Sequence, residues 1–175
     1  MYQLKRTPED FIVHEINIIS QSQEGDYAYF TLTKKEYTTL RALQKISEQL
    51  YIPLKHMGFA GSKDKKAITT QMCSAKNVMN AQIQKIHLQN ITLSLAGRGD
   101  KPISLGDLEG NQFIIVIRNV LTAPSIKTMF VNYFGEQRFS TNNAQIGKFL
   151  VQKKFKEACT LIKEPRIDEY LLFCR

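Results

Sequence analysis

Cysteine is sparse in this chain: Cys73, Cys159 and Cys174 are the three in 175 residues. Their odd number and wide spacing exclude a disulfide framework and a zinc module. No basic-then-apolar leader opens the sequence, and no apolar run is long enough to span a bilayer. The expectation is therefore a soluble, cytoplasmic protein with no membrane partner. His14, His56 and His87 lack metal-ligand spacing, and no cysteine stands near enough to complete a set, so no metal is expected. There is no P-loop, and Gly97-Arg98-Gly99 lacks the third glycine and the following helix of a dinucleotide fingerprint; no cofactor is expected. Internal repeats and low-complexity tracts are also missing. What remains is an ordinary globular composition, 43% hydrophobic, within the range of one domain and able to bury a core.

Basic residues outnumber acidic ones only after residue 60. Residues 1–60 hold 7 Lys/Arg against 7 Asp/Glu, residues 61–120 hold 8 against 4, and residues 121–175 hold 9 against 5, so the whole net charge of +8 lies after residue 60. Between Lys55 and Lys85 stand six lysines and a single acid, Asp64. Such a field concentrates polyanions and speeds their arrival, and nucleic acid is the commonest of these. A solvated basic surface has the same composition.

Residues 11–19 (FIVHEINII) and 27–33 (YAYFTLT) are rich in β-branched and aromatic side chains and flank a polar segment. They read as two antiparallel strands joined by a loop. Leu40, Leu43, Ile46 and Leu50 recur at helical spacing behind Thr38 and Thr39, either able to cap, which predicts a helix over 39–50 that ends before Pro53. Gly58 and Gly61 precede an extended stretch at 67–75, placing Lys63 and Asp64 in a short loop leading into a strand. Residues 91–95 and 112–120 predict further strands, the second central because it is almost wholly apolar, with Gly106 and Gly110 marking the turn between them. Helices are expected at 123–131, 143–152 and 155–162. The sum is an α+β domain on a largely antiparallel sheet with flanking helices.

Two segments carry candidate chemistry. In Gly58-Phe59-Ala60-Gly61-Ser62-Lys63-Asp64-Lys65-Lys66-Ala67-Ile68-Thr69 one carboxylate sits among three lysines in a glycine-bearing loop. Neighbouring positive charge favours the ionised acid. Such a group can serve as nucleophile or base while its lysines hold a phosphate backbone; the same residues also suit a surface turn that Asp64 merely neutralises. In Asn132-Tyr133-Phe134-Gly135-Glu136-Gln137-Arg138-Phe139, aromatic faces can stack unpaired bases, while Arg138 and Asn132 can hold phosphate or base edges. Those aromatics can equally be core.

Together these segments resemble a known family. AGSKDKKAITTQ is similar to the AGxKDxxAxTxQ motif of the tRNA pseudouridine synthase D family, and NYFGEQRF to its second signature. PEDFIVHEI at Pro8–Ile16, shortly after Lys5, and LGDLEGNQFIIVIR at Leu105–Arg118 agree with two further family segments in the same order. Thr38 stands where the family has Asn, and Ser140 where it has Gly. The resemblance implies a pseudouridine synthase-like catalytic domain, with 1–140 its N-terminal portion and 141–175 a helical segment leading toward the family's insertion domain. It further implies isomerisation of uridine to pseudouridine in tRNA, typically at position 13, without cofactor or metal. Asp64 would then be the catalytic carboxylate, and Lys63 would tune it. Phe134 would pack on the target base, Asn132 would hold the active-site loop, and Lys5 and Phe11 would lie near the pocket, with Lys65, Lys66 and Arg138 on the RNA. Family members run to roughly twice this length, a returning segment completing their sheet. The sheet here is accordingly expected to be incomplete, its uncovered part met by a complementing fragment or a second copy. A non-catalytic RNA-binding fragment of the same fold is the alternative.

Overall fold

The computed structural model describes residues 2–122 and 143–163. The chain forms two compact units, Met1–Pro124 and Ser125–Arg175. In the first, the strands are β1 (Gln3–Leu4), β2 (Phe11–Asn17), β3 (Tyr27–Lys35), β4 (Met57–Phe59), β5 (Ile68–Lys76), β6 (Ile91–Gly99), β7 (Leu108–Ile115) and β8 (Ile117–Arg118). Helix α1 covers Thr39–Leu50 and a short α2 covers Asn80–Gln84. The second unit contributes α3 (Asn143–Val151) and α4 (Phe155–Lys163), which pack on each other across a turn where Lys153 adopts φ 58°. The expected helix at 123–131 lies outside the described residues.

The main sheet runs β6-β3-β5-β2-β7, with β4 also on β5. All its pairings are antiparallel except β2 with β5, so the α+β class and the largely antiparallel sheet expected from the sequence are what the chain forms. Two readings need correction. Strands β2 and β3 run in opposite directions but are not neighbours, because β5 inserts between them. And β7, read as central, lies at the end of the strand order, paired in this sheet with β2 alone among the described residues, with Phe113, Ile114 and Ile115 about half exposed. An apolar run reports what a strand could bury; its place in the sheet depends on which strands pair with it, which hydropathy does not record.

Alternation along β3 turns Ala28, Phe30 and Leu32 to one face, where with Cys73 and Ala75 of β5 they meet Ala42, Leu43, Ile46 and Leu50 of α1. Each large side chain so buried contributes roughly 1.5–3 kcal/mol. Thr38 is the cap: its hydroxyl accepts from Arg41 N at 3.2 Å, and Tyr51 in the left-handed conformation closes the helix. On the opposite face Tyr29 and Met72 pack with Ala60 and Ile103. Gly58 is needed there, since a Cβ would sit 2.4 Å from Ile103 O and 2.5 Å from Ser74 Oγ. That close approach fixes the direction in which the chain leaves β4 for the Lys63-Asp64 loop.

Candidate active site

The outer edge of β5 is shared end to end. Strand β2 registers with Ile68–Thr70 and β4 with Cys73–Ala75. Between them Met72 N, which belongs to neither register, donates to Glu15 Oε1 at 3.1 Å. The other Glu15 oxygen accepts from Lys63 Nζ at 2.6 Å, and the pair is buried, 0% and 6% exposed at the side chains. A carboxylate from β2 therefore fills the gap in the ladder and anchors the loop that runs from β4 back to β5.

Other bonds hold the loop's backbone. Gln71 Nε2 donates to Gly61 O at 3.0 Å, and Lys63 N donates to Thr39 Oγ1 at 2.9 Å. The Thr39 hydroxyl in turn donates to Gln71 Oε1 at 2.8 Å, closing a buried cycle from sheet to helix to loop. Lys34 Nζ donates to Asp64 O at 3.0 Å, to Lys63 O at 3.4 Å and to Tyr37 O at 2.6 Å. Burial pulls the Lys34 pKa down to about 8; Lys63 acts in the same sense, and Asp64 opposes it.

The Asp64 carboxylate, about a third exposed, receives Lys5 Nζ on Oδ2 at 2.5 Å. The Lys5 ammonium also lies 3.5 Å from the centroid of the Phe11 ring, which stacks obliquely on Phe113 at 5.8 Å. Lys5 sits at φ 51°, and the segment after it is clamped by Asp10, whose Oδ2 accepts from Arg6 N and Thr7 N. Arg118 grips the same carboxylate with both Nε and a terminal nitrogen, the shortest contact 2.6 Å. That guanidinium is the main reason the Asp10 pKa falls to about 2.

Of the residues singled out in the sequence, Asp64, Lys5 and Phe11 come together. Lys65 and Lys66 are exposed on the same loop. Lys63 was expected to tune Asp64; its ammonium turns inward to Glu15, and among the described residues the cation that ion-pairs with Asp64 is Lys5. Asn132, Phe134 and Arg138 lie outside the described residues. Sequence reasoning missed Glu15, Lys34 and Gln71 as parts of the site and took Thr39 only for a cap. A signal existed: Phe11, Val13 and Glu15 share one face of β2, and Ala28, Phe30, Leu32 and Lys34 one face of β3, each an inward row ending in a charge.

The family model for tRNA pseudouridine synthase D matches residues 2–169. A tRNA pseudouridine synthase D from Aquifex aeolicus is 41% identical over a match covering 89% of this chain and 45% of its own length. A crystal structure from Methanosarcina mazei, of a protein assigned as tRNA pseudouridine synthase D, superposes with a TM-score of 0.71 at 34% identity, over 91% of this chain and 40% of that one. The chain belongs to the tRNA pseudouridine synthase D family. It spans less than half the length of the curated relatives it matches.

Proposed function

We propose that this chain carries the catalytic carboxylate of a tRNA pseudouridine synthase, with Asp64 as the nucleophile and a tRNA uridine, by family expectation that at position 13, as substrate. The observation that carries the reading is the Lys5–Asp64 contact of 2.5 Å on a loop whose backbone is bonded to Lys34, Thr39 and Gln71. A nucleophile that must meet a flipped-out base needs a fixed direction and a counter-charge, and the loop and Lys5 supply them. Extruding the uridine costs a few kcal/mol, which contacts of Lys65 and Lys66 with phosphate help to offset. Asp64 adds to uracil C6 or displaces uracil from ribose C1′; the N1–C1′ glycosidic bond breaks, the uracil turns, C5 bonds to C1′, the bond to Asp64 breaks to return the free carboxylate, and the C5 proton is lost while N1 takes one up. Phe134, Asn132 and Arg138 are proposed to hold the base and the RNA around it.

The test is pseudouridine formation on an unmodified tRNA transcript, comparing the wild-type chain with Asp64→Asn. Product from the wild type and none from the variant is expected; equal activity removes Asp64 from the mechanism. Because the chain spans under half of its relatives, a second reading is an RNA-binding part that makes no product by itself. That reading expects salt-sensitive tRNA binding unaltered by Asp64→Asn, with no pseudouridine even at enzyme excess.

A further inference from the structure

Lys34 closes a row of four inward-facing residues on β3, and it is as buried as the apolar ones, 1% exposed. An ammonium in that position costs the fold stability unless its donors are filled. They are filled in a particular way. An ammonium has three donors and no acceptor, and the three acceptors here are main-chain carbonyls. Two of them, Lys63 O and Asp64 O, belong to the peptide groups on either side of the Asp64 Cα. The third, Tyr37 O, belongs to the turn that enters α1.

We propose that Lys34 is a positioning residue for Asp64, its ammonium tying both flanking peptide groups to the entry of α1 and so setting the direction of the carboxylate. The inference rests on reading Asp64 as the nucleophile. The charged form does the holding: a neutral amine keeps two hydrogens and gains a lone pair, which would face a carbonyl oxygen. The latch therefore weakens as pH rises through about 8, the value to which burial brings this lysine. The charged and titratable groups facing it are Lys63 and Asp64 from the loop and Cys73 from β5. Burial pushes the Cys73 thiol far up, so it is neutral throughout this range. The β3 neighbours in register with Lys34 are Thr69 and Ile91, which do not titrate, and Tyr37 presents its carbonyl.

The test reads the loop directly. Amide resonances of residues 61–67 are followed through a pH titration bracketing 8 in the wild-type chain, Lys34→Met, Lys34→Arg and Asp64→Asn. In the wild type the Asp64 and Lys65 amides should shift with a midpoint near 8, far below an ordinary lysine at about 10.4. In Lys34→Met that transition should vanish, and in Lys34→Arg it should move out of range. In Asp64→Asn it should persist with a lower midpoint, because the carboxylate is the opposite charge that favours the ammonium. On tRNA transcript, Lys34→Met should lower kcat by about tenfold or more with KM little changed, and Lys34→Arg should recover part of the loss. Loop amides that do not titrate in the wild type, or that titrate alike in Lys34→Met, overturn the proposal; so does a Lys34→Met defect confined to KM. A loop transition that behaves as described while no form of the chain makes pseudouridine leaves the latch standing and places the failure in the reaction assigned to Asp64.

Discussion

One face of the sheet changes character along its length. Beneath the body of α1, Phe30, Leu43, Ile46 and Leu50 close a dry apolar layer. Beneath the first turn of the same helix, Lys34, Thr39 and Gln71 occupy that layer and bond to the loop carrying Asp64. The apolar end is stabilised by area removed from water, which does not depend on direction. The polar end is stabilised by bonds that are worth having only at one geometry, and that would be costly if left unmade. Placing the directional end beside the Asp64 carboxylate, and the non-directional end away from it, separates holding the fold together from aiming one side chain.

The largest stability effects should come from the apolar end. Phe30→Ala removes a fully buried ring and is expected to lower unfolding free energy by about 3–5 kcal/mol in urea denaturation. If its cost were no greater than that of a surface substitution, the apolar layer would not be what holds the sheet and helix together.

The charged end offers a test in which loss and recovery are both informative. Glu15→Gln removes the partner of a lysine ammonium that is 6% exposed, and should cost roughly 3 kcal/mol. Adding Lys63→Met should restore more than half of that, since an uncharged pair leaves no buried ion unmatched. Stabilities of the four proteins in this cycle measure the coupling. Additive costs would mean that Glu15 and Lys63 act separately, and that the gap between β2 and β4 is held by something else.

The apolar end was also the more legible one in the sequence. Spacing of Leu40, Leu43, Ile46 and Leu50 placed α1 at 39–50, where it lies, and composition placed β2, β3, β5 and β6 within a few residues of their observed bounds. The loop position of Asp64 was equally readable from Gly58, Gly61 and the extended stretch after them. Partners were harder to see. Glu15 and Lys63 are 48 residues apart, and Lys34 and Asp64 are 30 apart; they meet only because β5 inserts between β2 and β3, a pairing that no local pattern encodes. The position of β7 was misread for the same reason. Charges at the ends of otherwise apolar alternating rows, Glu15 on β2 and Lys34 on β3, were the local trace of that long-range arrangement.

A smaller effect should separate the support beneath Lys5 from both layers. Arg118 holds the Asp10 carboxyl near pKa 2, below its ordinary value of 3.8, so the contribution of this group is full above about 4 and is lost as pH falls toward 2. Arg118→Met should therefore denature earlier than the wild type at neutral pH, and the gap between them should close across that acid window. A gap that stayed constant with pH would mean that Arg118 acts by packing alone.

The smallest effect is expected at a pair that matches the Lys5–Asp64 contact in length. Lys35 meets Glu9 at 2.5 Å, as Lys5 meets Asp64, but its two side chains are 38% and 50% exposed against 28% and 32%, and among the described residues it has no aromatic ring beneath the ammonium in the way that Lys5 has Phe11. Water competes for both partners, and holding two long side chains together costs their freedom. Glu9→Gln should leave the denaturation midpoint and its salt dependence unchanged within error, although Lys35 raises no obstacle to the bond itself. A loss comparable to that of Glu15→Gln would show that separation, and not enclosure, sets the worth of an ion pair here, and the contrast between the two ends of the sheet would lose its physical basis.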